Sequence, residues 1–182
     1  MLEALLVAAA FALLQWWNSP WAYPAAGALL LICLPGILVM RGAAPFVTTS
    51  RKTMLAMLAL ANIKAGDHVY DLGCGDGRLV FASAKKDTVA IGYEMSVPAY
   101  LLAKSSSLFH RNSSIRFGDL WKQNYRDADV IFCYFLKDTM QDFEKKIWPT
   151  LKKGCRVVSH AFAMNNVKME KREGDAVLYM KR

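Results

Sequence analysis

The chain has 182 residues, 54% of them hydrophobic, and a formal net charge of +8. Once the apolar first forty residues are set aside, the remainder has room for one compact domain of catalytic size and no more. Every Lys and Arg lies at or beyond Arg41, with no run of five like charges and no basic stretch interleaved with aromatics, which argues for anionic lipid headgroups and against nucleic acid as the partner.

Two apolar stretches open the chain, Leu2 to Trp17 and Ala25 to Met40, separated by Asn18-Ser19-Pro20-Trp21-Ala22-Tyr23-Pro24, whose prolines and small polar residues favour a turn. Each falls slightly short of the roughly 20 residues that cross a bilayer untilted, so the expected anchor is a two-helix hairpin, with one span plus an interfacial helix as the other arrangement. Trp16, Trp17, Trp21 and Tyr23 cluster at the turn, as aromatic rings do at a membrane surface. Arg41, Arg51 and Lys52 follow, and the bias of cations toward the cytoplasmic face puts the rest of the chain inside. The start Met1-Leu2-Glu3 lacks the basic residues of a cleaved signal, which favours an anchor. The expected division is therefore a membrane anchor over 1–41 and a second domain over 42–182.

In that second domain Ser50 is a plausible N-cap, and Met54, Leu55, Leu58 and Ala61 recur at helical spacing until Asn62. His68 to Leu72 reads as a strand, followed by a glycine-rich loop and a helix capped by Asp76 and running to about Lys86. Thr88 to Tyr93 is a second strand, Ser96 to about His110 a helix with Pro98 in its first turn, and Ile115 to Phe117 a third strand. Asp129 to Phe135 is apolar enough for a strand buried on both faces, and Leu136, Met140, Phe143, Ile147 and Leu151 mark one face of the next helix. Cys155 to Ser159 makes a fifth strand. Val167 to Arg172 and Ala176 to Lys181, around Glu173-Gly174-Asp175, form a closing β-hairpin. Alternating strands and helices closed by an antiparallel pair predict an α/β fold with a doubly wound, mostly parallel sheet.

In such sheets ligands bind beyond the carboxyl ends of the strands. The first strand ends in Asp71-Leu72-Gly73-Cys74-Gly75-Asp76-Gly77, where glycines let the backbone approach a ligand and leave amide donors at a helix N-terminus. A dinucleotide fingerprint needs a third glycine at position 78, where Arg78 stands, which counts against NAD. Glu94 after strand two is placed to accept both hydroxyl hydrogens of a ribose, and Asp119 after strand three to accept from an adenine amino group. Acids after three successive strands, together with the glycine loop, point to a nucleoside ligand. Cys33, Cys74, Cys133 and Cys155 form no C-x-x-C pair, so neither a zinc site nor a disulfide framework is expected.

Taken together, Pro45-Phe46-Val47-Thr48-Thr49, Tyr70 to Arg78, Gly92-Tyr93-Glu94, Gly118-Asp119-Leu120-Trp121 and Val157 to Phe162 make the chain resemble the seven-β-strand, class I S-adenosylmethionine-dependent methyltransferases. Within them it is similar to a membrane-anchored lysine methyltransferase family that includes the mitochondrial enzymes acting on the c-ring protein of ATP synthase and on the adenine nucleotide translocase, with prokaryotic relatives. The resemblance implies that Thr48, Thr49, Asp71, Gly73, Cys74, Gly75, Asp76, Gly77, Glu94, Asp119 and Leu120 hold S-adenosylmethionine, Thr48 and Thr49 as part of a lid. The family's first motif usually reads Pro-Phe-Val-Pro-Thr, so Thr48 is a departure. Cys133-Tyr134-Phe135-Leu136 lacks the Asn-Pro-Pro-Tyr run of adenine and glutamine methyltransferases, which argues against those substrates.

A lysine acceptor must lose a proton from a group whose reference pKa is near 10.4, which a desolvated aromatic channel assists. Tyr134 is a candidate for the channel wall, Phe162 a second, and His160 a wall or base candidate. Trp121 could pack near the adenine or equally anchor the core, and Asp138 could attract a cationic lysine or simply suit the first turn of the next helix. The expected function is methylation of lysine on a protein in or near the membrane, in the bacterial inner membrane, or in the mitochondrial one facing the matrix. Methylation of a lipid or quinone headgroup is a second reading. A non-catalytic membrane-bound assembly factor is a third.

Overall fold

The computed structural model of the chain describes residues 7–11, 23–29, 49–84 and 87–182. The chain divides into two compact units, Met1–Ala43 and Ala44–Arg182. In the first, residues 7–11 and 23–29 are helical. Tyr23 and Pro24 thus belong to a helix rather than to the turn expected of 18–24. The rest of the expected anchor lies outside the described residues. Among those described, no helix is long and apolar enough to cross a membrane.

The second unit opens with α1 (Arg51–Ala61), whose N-cap Ser50 accepts a hydrogen bond from the Thr53 amide and whose C-cap Asn62 adopts the left-handed conformation. In chain order follow β1 (His68–Leu72), α2 (Arg78–Ser83), β2 (Val89–Glu94), α3 (Val97–Ser107), β3 (Ser113–Phe117), β4 (Val130–Cys133), α4 (Lys137–Lys146), β5 (Arg156–His160), β6 (Lys171–Glu173) and β7 (Ala176–Met180). Short 3-10 turns stand at Leu120–Lys122 and Trp148–Thr150. The seven strands form one sheet in the order β3-β2-β1-β4-β5-β7-β6, parallel except for β7, which is antiparallel to both its neighbours.

Several boundaries differ from the sequence expectation, each for a local reason. α2 ends at Ser83 because the Thr88 hydroxyl donates to the Ser83 carbonyl at 3.0 Å and closes the segment back on itself. Its N-cap is Gly77, not Asp76. β4 is shorter than 129–135: the Asp129 carboxylate accepts from the His68 amide at 2.9 Å, and Tyr134 and Phe135 have left the ladder. α4 stops before Pro149, which has no N–H to continue the ladder, so Trp148–Thr150 tightens into a 3-10 turn. Leu136 is the N-cap of α4 and 45% exposed, so it is not on the buried face. The hairpin's first strand is reduced to Lys171–Glu173.

Side chains alternate across the sheet, and each face has its own core. Tyr70, Leu72, Ile91, Tyr93, Ile131, Cys133, Val157 and Tyr179 meet Met140, Phe143 and Ile147 around α4. Val69, Ala90, Val130, Phe132 and Val158 meet Met57, Leu60 and Ala61 of α1, Leu79 and Val80 of α2 and Ala103 of α3. The sheet is therefore covered on both faces, as a doubly wound fold requires. A partly buried ion pair pins the frame: Arg156 bonds Asp67 and the Ala61 carbonyl, tying the end of α1 to the start of β5.

Candidate active site

The strand register brings the candidate residues into one row. Leu72 pairs with Tyr93 and with Cys133, Glu94 with Phe117, and Cys133 with Ser159. One residue past the row Tyr93, Leu72, Cys133 and Ser159 stand Glu94, Gly73, Tyr134 and His160, with Phe117 beside Glu94 and Gly118 one step further, so five strand ends open on the same edge. β1 and β4 are neighbours there although two strands separate them in sequence, and this is the reversal point at which open α/β sheets bind ligands.

The loop after β1 turns through Gly73, Gly75 and Gly77 at φ of +79°, +56° and +81°, conformations that a side chain disfavours. A Cβ at Gly73 would meet nothing within 4 Å, so the loop leaves open space on that side. The amides, however, are not free, contrary to the expectation from sequence. Gly73 and Cys74 both donate to the Tyr93 carbonyl, Gly77 to the Cys74 carbonyl, Gly75 to Glu94 and Arg78 to Asp76. What this loop offers a ligand is shape and nearby carboxylates rather than a nest of unpaired donors.

Glu94 sits at the centre of that arrangement. Its Oε2 accepts from the Gly75 amide at 2.8 Å, and its Oε1 from Met95 and Ser96 at 2.9 and 2.7 Å. A carboxylate has about four acceptor positions, so three are spent on fixing loop and strand end, leaving capacity for a ligand hydroxyl. Asp71, at the foot of the loop, is 6% exposed. Burial, then the charges of Glu94 and Asp76, push its carboxyl up to about 8, so it is largely protonated at neutral pH.

Asp76 behaves in the opposite way. Burial would raise it, but hydrogen bonds and charge from Arg78 prevail and hold it below the usual carboxylate range. Arg78 donates Nε to both Asp76 oxygens at 3.0 Å and Nη1 to the Thr49 carbonyl at 2.7 Å. In the sequence Arg78 serves only to exclude NAD; in the fold it is the clamp between the glycine loop and the segment entering α1. Thr49 is 7% exposed, while Thr48 lies outside the described residues.

Asp119 caps the 3-10 turn through Oδ1, which accepts from the Trp121 amide at 2.9 Å, while Oδ2 has only a distant Lys122 ammonium at 4.0 Å. That second oxygen is the accessible one. Leu120 is half-buried and its carbonyl accepts from the Tyr125 hydroxyl at 2.8 Å. Trp121 stacks on Phe135 with ring centroids 6.2 Å apart. Cys74 departs from the expected ligand role: its side chain is 6% exposed, burial holds the thiol protonated, and it faces Gly92, where an added Cβ would lie 2.6 Å from Sγ. Its contribution to a ligand site is limited to its backbone.

On the far side of the switch point, the Tyr134 and His160 rings lie 4.0 Å apart. His160 Nδ1 is buried without a hydrogen-bond partner, and burial lowers the imidazole below its ordinary pKa against the pull of Asp175. Immediately after it, Ala161 takes φ of +67° in a three-residue turn in which the Phe162 amide donates to the His160 carbonyl at 2.9 Å. Such turns are rare and strained for a residue with a side chain. Phe162 is 36% exposed beside this turn. Glu144, which nothing in the sequence singled out, holds the following segment by accepting from the Asn165 and Asn166 amides at 2.7 and 2.9 Å. Asp138 stands exposed in the first turn of α4.

The ANTKMT methyltransferase domain family matches residues 71–171, from the foot of the glycine loop to the start of β6. The chain belongs to that family. Among relatives, a protein-lysine N-methyltransferase of Saccharolobus islandicus is 31% identical over 123 residues, 65% of this chain and 76% of that one. An adenine nucleotide translocase lysine N-methyltransferase of Mus musculus is 31% identical over 146 residues, 74% of this chain and 61% of its own length. Among solved structures, an RNA methyltransferase from Salinibacter ruber in complex with S-adenosyl-L-homocysteine superposes with a TM-score of 0.67 at 27% identity, covering 74% of this chain and 92% of that one. As a member of the ANTKMT methyltransferase family, the chain is an S-adenosylmethionine-dependent methyltransferase.

The residues present fit that donor. The open side of Gly73 leaves room for it, Glu94 retains an acceptor position, and Asp119 Oδ2 is engaged only by the Lys122 ammonium at 4.0 Å, which suits a nucleoside with hydroxyl and amino hydrogens to donate.

Proposed function

We propose that this methyltransferase acts on the ε-amine of lysine in a protein in or near a membrane. The observation that carries the reading is the aromatic wall of Tyr134 and His160, whose rings lie 4.0 Å apart and tilted by 36° beside the glycine loop, with Phe162 next to it. The named activities of the Saccharolobus and Mus relatives support it.

S-adenosylmethionine supplies an electrophilic methyl on a sulfonium, which is displaced in line by a neutral amine. The chain has therefore to deliver lysine deprotonated and aligned. Aromatic faces at Tyr134 and Phe162 attract and position an ammonium and then disfavour its charge as water is excluded. His160, neutral because burial lowers its pKa, can accept the proton that the ammonium sheds. Tyr134 supports that ring by tilted ring contact, and the strained turn at Ala161 sets where Phe162 projects.

The membrane part rests on the sequence. The apolar segments within 1–41, the aromatic cluster at Trp16, Trp17, Trp21 and Tyr23, and cations confined to Arg41 onward support an anchor with the catalytic domain on the cytoplasmic side, or the matrix side in a mitochondrion. Tethering would raise the effective concentration of acceptors confined to the same surface. Incubating membranes from a deletion strain with the full chain and methyl-labelled donor tests the acceptor. Label in a protein band that maps to lysine is expected. Label confined to the lipid extract would replace the reading with headgroup methylation, and no label at all would favour a non-catalytic role.

A further inference from the structure

The outer face of α3 breaks the rule that a helix covering a sheet turns polar residues to water. Ala99 and Ala103 face the sheet, while Leu101 and Leu102 are 58% and 55% exposed, and Leu108 and Phe109 in the turn that follows are 81% and 86% exposed. At helical spacing these four, with exposed Pro98, fall on one side. The serines among them are satisfied within the helix: Ser105 and Ser106 donate to the Leu102 carbonyl at 2.9 and 3.0 Å, and Ser107 to the Lys104 carbonyl at 2.7 Å. The face can therefore leave water without stranding a hydroxyl donor.

The charge within this segment has one sign, while exposed Asp87 stands across the cavity that Phe109 lines. Residues 96–116 contain Lys104, Arg111 and Arg116, all exposed, and no Asp or Glu. Phe109 lines one side of an open cavity with Asp87, His110 and Arg111, but Leu108 and Phe109 stand 81% and 86% exposed at the tip, so a protein partner would need a matching pocket, whereas fluid acyl chains need none. Apolar residues at a tip, rimmed by cations, are the pattern of a helix that lies in a bilayer interface.

We propose that the outer face of α3 and the turn Leu108–Phe109 dock on an anionic bilayer surface, inserting these side chains at the headgroup boundary and turning the β3 edge of the sheet toward the membrane. This contact goes beyond the proposed lysine activity and depends on neither an acceptor nor a membrane-spanning segment.

The test uses the full chain with Cys33→Ser, so that a nitrobenzoxadiazole fluorophore attaches only at an introduced cysteine, since Cys74, Cys133 and Cys155 are buried. Phe109→Cys places it on the proposed face, and Lys171→Cys on β6, the opposite edge of the sheet, provides the comparison. Vesicles contain brominated phosphatidylcholine with about 30% phosphatidylglycerol, or brominated phosphatidylcholine alone. The expected result is emission at position 109 quenched about threefold by the anionic vesicles, less by the neutral ones, and little change at position 171. A probe at 109 that stays in water on membrane-bound protein overturns the proposal, as does equal quenching at both positions. A probe at 109 already shielded before vesicles are added also overturns it, and assigns the face to another segment or a second copy. The readout involves no methyl transfer, so an error in the acceptor leaves it intact.

Discussion

Arg78 and Thr49 are joined across the entrance to the site: Nη1 of the guanidinium donates to the Thr49 carbonyl at 2.7 Å while Nε holds the Asp76 carboxylate at 3.0 Å. The side chain that occupies the position of a dinucleotide-binding glycine thus fastens the loop to the segment before α1. Arg78→Ala removes charge-assisted bonds worth about 1.5–3 kcal/mol each. Calorimetry with S-adenosylmethionine is expected to show affinity reduced by about tenfold or more. Affinity within about twofold of the parent would dismiss the clamp.

Glu94 spends three acceptor positions on backbone amides. Glu94→Ala is therefore expected to do two things at once: lower the melting temperature, because three amides lose their partner, and weaken cofactor binding by about a hundredfold. Glu94→Gln keeps one carbonyl acceptor and should fall between. A variant that binds normally would exclude Glu94 from the site, whatever its stability.

Asp71 enters the fold with a carboxyl raised from 3.8 to about 8. A raised carboxyl means that the folded state binds the proton more tightly than the unfolded chain does. Its contribution is present in full below about pH 4 and is lost as pH rises to about 8. Chemical denaturation across that window should show this decline, flattened in Asp71→Asn, which keeps the shape of the neutral acid. An identical slope in both proteins would show that Asp71 is ionised in the folded state.

Gly92 lies against the back of the glycine loop: a Cβ there would come within 2.6 Å of Cys74 Sγ and 2.7 Å of Val80 Cγ2. Gly92→Ala overpacks this contact, at a cost of about 1–3 kcal/mol, and pushes Cys74, and with it the loop, toward the ligand side. Both a lower melting temperature and weaker cofactor binding are expected, measured on the same preparation. A stability loss with unaltered binding would show that the loop tolerates the shift.

His160 should be neutral at physiological pH, since burial lowers its pKa. If it takes the lysine proton, His160→Asn lowers kcat by about 10²-fold, and the acid limb of the pH–rate profile disappears with it. The KM for S-adenosylmethionine should hardly move. A variant that retains the acid limb would leave His160 as a packing partner of Tyr134.

Much of this was legible from residues alone because it depends on local chemistry. Acids and glycines at strand ends, apolar runs of strand length and the Gly174 turn are properties of neighbouring residues, and they located the sheet, the glycine loop, Glu94 and Asp119. Other features depend on partners far away in the chain. Arg78 reaches back 29 residues to Thr49, and Glu144 reaches forward 21 and 22 residues to Asn165 and Asn166; neither distance leaves a trace in periodicity.

The sequence by itself determined the fold class, and with it the edge on which loops converge, because parallel strands with crossover helices have one such side, while the cofactor followed from the motifs' resemblance to class I methyltransferases. Only the tertiary structure decided which polar atoms remain available there. It consumed the loop amides in bonds to Tyr93, Cys74, Glu94 and Asp76, and turned Cys74 into the core. It also raised Asp71 by burying it beside two other acids, and paired Tyr134 with His160. Hydrogen-bond satisfaction and burial are properties of the assembled sheet, and they come into being only when strands distant in sequence are brought into register.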